Sequence, residues 1–87
     1  MIAFKQIRAD AEAGAYEIRY RDLPAGTFVH HDERIGPGVT AGILADGEVF
    51  GIELLGLQPD TVTAARRYAA THGLAFPEDL ASLIAAS

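Results

Sequence analysis

The stretch Phe28–Glu33 reads FVHHDE and places two histidines directly before two carboxylates, in a chain that has three histidines in all. Imidazole and carboxylate groups bind divalent metals, and imidazole also exchanges protons near neutral pH. In an extended strand, successive side chains point to opposite faces, so His30 shares a face with Asp32 and His31 shares the other face with Glu33. The two histidines therefore do not have the spacing that lets neighbours chelate one ion.

A metal site on this stretch needs at least one more ligand from a neighbouring strand, for which Glu53 and Glu17 are the candidate acids. We favour a solvated sheet face, because charged and polar side chains of this kind are mostly exposed. One alternative is a metal site that uses His30, His31 and Glu33. Another is an interface that responds to pH through the histidines.

Other catalytic groups give weaker signals. Ser82 and Ser87 are the only serines, cysteine is absent and Lys5 is the only lysine, so no arrangement for nucleophilic catalysis is indicated. The glycine-rich letters GPGVTA at Gly36–Ala41 lead into a predicted strand, whereas a dinucleotide fingerprint leads into a helix whose amino terminus receives the phosphates. The sequence indicates no cofactor.

Composition narrows the class of protein. The chain has 87 residues, is 49% hydrophobic and carries a net charge of −5, which fits one globular domain and argues against a nucleic-acid surface. Its apolar runs are far shorter than the roughly 20 residues that span a bilayer, and no signal-like amino terminus is visible, so we expect a cytoplasmic protein and no membrane partner. A chain this small gains stability from a partner subunit, and we expect a homodimer.

The first half of the chain has the period-2 apolar pattern of strands, and the last thirty or so residues are alanine-rich and helix-like. We predict an α+β fold: a small antiparallel β-meander of four or five strands, with one or two carboxy-terminal helices packed on one face. The single domain spans 1–87, with the sheet in 1–56 and a helical tail in 57–87. The first three strands are predicted at Ile2–Ile7, Ala15–Tyr20 and Thr27–Ile35.

The pair Asp46-Gly47 predicts a two-residue type I′ hairpin, because both residues tolerate positive φ. Counting outward from this turn gives one entirely apolar face and one mixed face. The apolar face pairs Ile43 with Phe50, Ala41 with Ile52, and Val39 with Leu54. The mixed face pairs Leu44 with Val49, Gly42 with Gly51, and Thr40 with Glu53.

The directly opposed glycines Gly42 and Gly51 leave bare backbone on the mixed face of this hairpin. Glycine weakens a strand, so its presence at both positions needs a reason. We favour a bend in the hairpin or a neighbouring side chain packed over the gap. The alternative is a close approach by a partner backbone or a ligand.

Two helices are predicted in the tail. The first runs from Asp60 to His72 after Pro59 and ends at Gly73, and the second runs from Pro77 to about Ala85. The first helix should cover the apolar face of the hairpin, because so small a sheet cannot leave that face in water. Residues at helical spacing, which we assign to the core, are Val62, Ala65, Tyr68, Ala69 and His72 in the first helix and Leu80, Leu83 and Ile84 in the second.

Two segments, ADAEAGAYEIRY at Ala9–Tyr20 and GVTAGILADGEVFGIELLG at Gly38–Gly56, resemble the small bacterial proteins grouped as domain of unknown function 2283. The resemblance covers residues 2–56 and implies a small antiparallel sheet with no established activity. The matching residues are Asp10, Glu12, Ala15, Ile18 and Arg19 in the first segment and Asp46, Gly47, Val49, Gly51, Ile52, Glu53 and Leu55 in the second. The departures from the family pattern are Ala9, Gly14, Glu17 and Gly56.

For function, we expect a noncatalytic module that associates with itself or with another protein through a sheet edge or the glycine-bearing face. The candidate binding residues are Gly42, Gly51, Glu53, His31 and Glu33. One alternative is a metal-assisted hydrolase that uses His30 or His31 with Glu33 and Glu53. A further alternative is an antitoxin-like acidic protein that sequesters a basic partner.

Overall fold

The computed structural model of the chain describes residues 1–80, which form an antiparallel sheet and one long helix packed on it. The predicted α+β class with a helix on one face of the sheet is thereby confirmed. The elements are β1 (Gln6–Asp10), β2 (Ala15–Arg19), β3 (His31–Gly36), β4 (Val39–Ile43), β5 (Val49–Leu55) and α1 (Pro59–Thr71).

The five strands lie in the order β1-β2-β5-β4-β3, and all neighbours are antiparallel. The sheet therefore departs from the predicted simple meander, since β2 has β5 beside it and β3 lies at the far edge. Two hairpin units, β1-β2 and β3-β4-β5, are joined by a long connection. This order puts β5, the most apolar strand, at the centre of the sheet, where both of its edges are paired.

The core lies between one face of the sheet, which we call the helix face, and α1. Ile18, Ile52 and Leu54 are fully buried there and pack with Ala65 and Ala69 of α1. Small alanines on the helix let its axis approach the sheet closely. The opposite side of the sheet, which we call the open face, carries the polar residues of the same strands.

The reversal between β4 and β5 lies at Asp46-Gly47 as predicted, but its type differs. Gly47 has φ +86°, and within residues 1–80 positive φ occurs only at glycines, so Asp46 does not have it. The predicted type I′ turn, which needs positive φ at both central residues, is therefore wrong. The Gly47 N–H donates to the Leu44 carbonyl (2.9 Å) and the Leu44 N–H donates to the Glu48 carbonyl (2.9 Å). The loop therefore contains three residues, 45–47.

A β-bulge in β5 compensates for the longer loop. Ile43 pairs with Val49 and Gly42 pairs with Gly51, so Phe50 is an extra residue without a partner on β4. The predicted pairs Ile43 with Phe50 and Leu44 with Val49 are wrong for this reason. Beyond the bulge the predicted register is confirmed: the observed pairs are Val39 with Leu54, Thr40 with Glu53, Ala41 with Ile52, and Gly42 with Gly51.

Helix α1 begins at Pro59, whose fixed φ suits the first turn, with Asp60 favourably placed near the positive end of the helix dipole. It ends at Thr71, and Gly73 follows with φ +67°, as predicted for a helix stop. Of the residues assigned to its core stripe, Ala65 and Ala69 are buried and His72 is exposed. The second predicted helix falls largely on residues 81–87, outside the described residues.

The first and third strands start later than predicted. Strand β1 begins at Gln6, although the Lys5 N–H still donates to the Arg19 carbonyl at 2.7 Å. Ile2 donates its N–H to the Gly73 carbonyl and accepts from the Ala75 N–H, which joins the amino-terminal segment to the residues after α1. Residues 27–30, predicted as strand, belong to the connection before His31. Among residues 1–80, no helix has the length and apolar character needed to cross a membrane.

Candidate binding site

A small cavity opens at the middle of the open face, and we call it the carboxylate hollow. Its floor is the directly opposed glycine pair Gly42 and Gly51 of β4 and β5, and its volume is about 100 Å³. Side chains from four strands and the connection before β3 complete the lining. The lining residues are Glu17, Val29, Asp32, Thr40, Gly42, Phe50, Gly51 and Glu53.

The glycines are needed because neighbouring atoms lie close above each Cα. A Cβ on Gly51 would be 2.9 Å from the Ile18 carbonyl oxygen, and a Cβ on Gly42 would be 3.2 Å from Cγ1 of Val29. Gly51 is therefore required by the backbone of β2, and Gly42 is covered by a side chain. These contacts support the interpretation that a neighbouring group packs over the gap, so the predicted bare backbone is partly roofed by the protein itself.

Two carboxylates lie side by side across the central strands. Glu17 of β2 and Glu53 of β5 are directly opposed, an arrangement in which like charges destabilise a sheet. The Nε of Arg19 donates to Oε1 of Glu17 at 2.6 Å and neutralises part of this charge. A third acid, Asp32 of β3, stands opposite Gly42 and reaches the same hollow. Within residues 1–80, no salt bridge joins Glu53 or Asp32 to a cationic side chain.

The bulge in β5 brings an aromatic ring to this acidic site. Phe50 is buried at 4% exposure, yet it lies outside the core cluster and lines the hollow. The Arg19 guanidinium carbon is 5.1 Å from the centre of its ring, which is cation–π distance. Phe50 was predicted on the apolar face with Ile43 and Ile52, and the extra residue at the bulge is the reason that this prediction is wrong.

The acidic centre has basic residues toward both edges of the sheet. Pairing places Arg8 of β1 beside Glu17 and Arg34 of β3 beside Thr40, so one row across the open face has arginines at its ends and glutamates in the middle. A second hollow of about 240 Å³ lies toward β1 and shares Glu17 and Glu53 with the first. The directly opposed acids Glu17 and Glu53 therefore belong to the lining of both hollows.

The predicted binding residues divide between the two faces. Gly42, Gly51 and Glu53 line the carboxylate hollow, whereas His31 and Glu33 pair with Ile43 and Ala41 and thus belong to the helix face, on the exposed edge strand β3. Glu33 acts there on Tyr68 of α1: burial first, and the negative charge of Glu33 second, raise the pKa of the Tyr68 phenol. The sheet keeps Glu33 and Glu53 apart.

The residues of the metal hypothesis are separated by the same alternation. The backbone N–H of His30 donates to the Ile43 carbonyl at 2.8 Å, and its ring meets the His31 ring edge to face with centres 5.3 Å apart. Both histidines are exposed. Over the part of the chain that the structure describes, no group of three or more histidine and acidic side chains is close enough to hold a metal ion.

Sequence reasoning did not select Asp32, Thr40, Val29 or Phe50 for this site. Thr40 and Asp32 have a readable signal, since the register of β4 with β5 puts Thr40 beside Glu53, and period 2 places Asp32 on the face opposite Glu33. Val29 has no such signal in the sequence, because it comes from an irregular connection.

Comparison with family models, with curated proteins and with solved structures finds no match to this chain, and the resemblance to domain of unknown function 2283 stays a prediction.

Proposed function

We propose that this protein is a protein-interaction module that binds a basic segment of a partner protein on its open face, with the carboxylate hollow receiving a lysine or arginine side chain. The observation that carries the proposal is the convergence of three carboxylates, from three different strands, on one glycine-floored cavity. Glu17, Asp32 and Glu53 supply three negative charges, and Arg19 supplies one positive charge.

The size of the hollow favours a side-chain tip over a small-molecule ligand. Its volume of about 100 Å³ is below the roughly 300–1,000 Å³ of cavities that hold cofactors and metabolites. An ammonium or guanidinium group fits such a space. The Thr40 hydroxyl can accept a hydrogen bond from it, and the Phe50 ring supplies an apolar wall for the methylene chain.

The electrostatics favour a cation at this position. Directly opposed Glu17 and Glu53 repel each other, and a positive group between them removes that repulsion while it gains charge-assisted hydrogen bonds. The net charge of −5 adds long-range attraction for a basic partner. The proposal therefore includes the sequence-derived alternative of an acidic protein that sequesters a basic one.

The test is a titration of 15N-labelled protein with a short peptide that contains lysines spaced by glycines, followed through backbone amide chemical shifts. We expect saturable shifts at Thr40, Gly42 and Gly51, and weaker binding at higher salt because a partly exposed site is screened. Glu53→Gln should weaken binding about tenfold, the size of one charge-assisted hydrogen bond. A peptide with acetylated lysines should bind much more weakly.

Glu12→Gln is the matched control, because it removes the same charge from the exposed turn between β1 and β2. This variant should bind the lysine peptide like the natural protein. Equal weakening by Glu12→Gln and Glu53→Gln would mean that only net charge attracts the peptide. Absence of shifts around Gly42 and Gly51 would exclude the hollow as the binding site.

A further inference from the structure

A second surface lies at the end of the sheet where the connection between β2 and β3 passes the turn between β4 and β5. Phe28, in this connection, has 84% of its surface exposed, which is unusual for an aromatic side chain. Beside it is a hollow of about 370 Å³ whose walls include Leu23, Pro24 and Leu44. An apolar projection and an apolar recess are thus neighbours on one surface.

The connection that carries Phe28 is fixed in place by polar contacts. Arg21 forms an ion pair with Asp46 in the β4–β5 turn, with Nη1 and Oδ2 3.0 Å apart. The backbone N–H and the hydroxyl of Thr27 both donate to the Pro24 carbonyl, at 3.0 and 2.5 Å. The Glu48 N–H, and after it the Arg21 guanidinium, lower the pKa of Asp46 and keep it ionised. These contacts join the start of the connection to the β4–β5 turn and close a turn at residues 24–27, directly before Phe28.

We propose that a second copy of this chain docks on this surface, with Phe28 of each protomer inserted into the recess formed by Leu23, Pro24 and Leu44 of the other. A two-fold interface requires a surface that is complementary to itself, so projection and recess must lie side by side on one protomer. This surface meets that condition. The recess, at about 370 Å³, has room for the Phe28 ring of a second copy.

Charges at the rim also favour a second copy. Arg21 carries a positive charge, and Asp22 and Asp46 carry negative charges around the same recess. Within one protomer Arg21 pairs with Asp46 at 3.0 Å and Lys5 pairs with Asp22 at 3.0 Å, so both acids at the rim already face a cation when a second copy approaches. The mixed rim limits the repulsion expected between two chains of net charge −5. An aromatic anchor from each protomer, with little net charge around it, suits a small and reversible dimer interface.

The test is sedimentation equilibrium of the full chain over a wide range of concentrations. We expect a concentration-dependent rise from the monomer mass of 9.2 kDa toward twice that value. Phe28→Ser should raise the dimer dissociation constant about a thousandfold, because each dimer loses two anchors and each anchor contributes at least about thirtyfold. Leu44→Arg, which places a charge in the recess, should have a similar effect. Far-UV circular dichroism of both variants should match the natural chain.

Leu55→Ser is the matched control, since Leu55 is also an exposed large apolar residue, at 59%, but it lies at the other end of β5. This variant should dimerise normally. Isotope-filtered nuclear Overhauser spectra of a mixed labelled and unlabelled sample should show contacts between the Phe28 ring and the Leu44 methyl groups of different protomers. A natural chain that remains monomeric at millimolar concentration, or a Phe28→Ser dimer as tight as the natural one, would overturn the inference.

The inference is separable from the proposed function, because the two surfaces differ. Glu53→Gln should leave the sedimentation behaviour unchanged. Phe28→Ser should leave the lysine-peptide titration unchanged. Failure of one experiment therefore does not imply failure of the other.

Discussion

Replacement of Gly51 by alanine tests how the floor of the carboxylate hollow is built. The added Cβ would lie 2.9 Å from the Ile18 carbonyl oxygen, which belongs to the backbone of a strand paired on both sides. Neither β2 nor β5 can move without stretching interstrand hydrogen bonds, so we expect an overpacking cost of about 1–3 kcal/mol. Alanine recovers about 0.5–1 kcal/mol of glycine's entropic disadvantage. With both ranges taken at their midpoints, the expected net loss of stability is about 1 kcal/mol.

Gly42→Ala is the matched control, because Gly42 is directly opposite Gly51 but meets only Cγ1 of Val29, at 3.2 Å. Val29 belongs to an irregular connection and its side chain can shift by a few tenths of an ångström, so this variant should stay within about 0.5 kcal/mol of the natural protein. The two free energies of unfolding are measured by urea titration at equal m-values. In thermal melts Gly51→Ala should lower the midpoint by roughly 4–8 °C.

Two outcomes would refute this reasoning about Gly51. A Gly51→Ala protein as stable as the natural one would mean that β2 and β5 do not hold each other at the spacing seen here. Equal damage from Gly42→Ala and Gly51→Ala would mean that the glycine pair is needed for flexibility or for a shared bend. In that case the carbonyl of Ile18 would not be the cause.

Three further predictions concern the helix face. Burial raises the pKa of the Tyr20 phenol from 10.0 to about 12. Because ionisation is therefore easier in the unfolded chain, the free energy of unfolding should fall by about 2–3 kcal/mol as the pH rises from about 10 to 12. Tyr20→Phe should remove most of this loss in urea titrations across that range. The same variant at pH 7 should cost about 1 kcal/mol, because the Tyr20 hydroxyl donates to the Ala75 carbonyl at 2.8 Å. Thr61→Val should lower the stability by about 1 kcal/mol in thermal melts, because the buried Thr61 hydroxyl donates to the Pro37 carbonyl at 2.8 Å. Thr63→Val is the control, because Thr63 is exposed on the same helix and its replacement should leave the stability nearly unchanged.

Much of the local structure could be predicted because its signals are local. The helix start at Pro59 and its stop before Gly73 follow from single residues, and the chain reversal follows from Asp46-Gly47. The register of β4 with β5 was predicted correctly beyond the bulge, although from an incorrect turn. The loop has three residues where two were predicted, which shifts the pairing next to the turn by one residue relative to the prediction. The unpaired Phe50 in β5 restores the predicted register from Gly42 and Gly51 onward.

Only part of the candidate site could be predicted from the sequence. Gly42, Gly51 and Glu53 could be grouped because they belong to one hairpin, whose faces alternate with period 2. His31 and Glu33 were grouped with them without evidence for the face that β3 presents. The pairing of β3 with β4 shows that His31 and Glu33 lie on the helix face, opposite to the face that carries Glu53.

The sequence by itself determined that the chain reverses at Asp46-Gly47, where α1 begins and ends, and, away from the bulge at Phe50, which residues of the β4–β5 hairpin share a face. These properties depend on residues within a few positions of one another. Only the tertiary structure decided that β2 lies beside β5, which brings Glu17 against Glu53 from 36 positions away, and that a bulge turns Phe50 toward the acids. The period-2 pattern of a strand is the same whichever neighbour it has. The neighbours of β5 depend on packing between segments that are distant in sequence: β5 is the most apolar strand, and it is buried best at the centre of the sheet with β2 and β4 paired to its two edges.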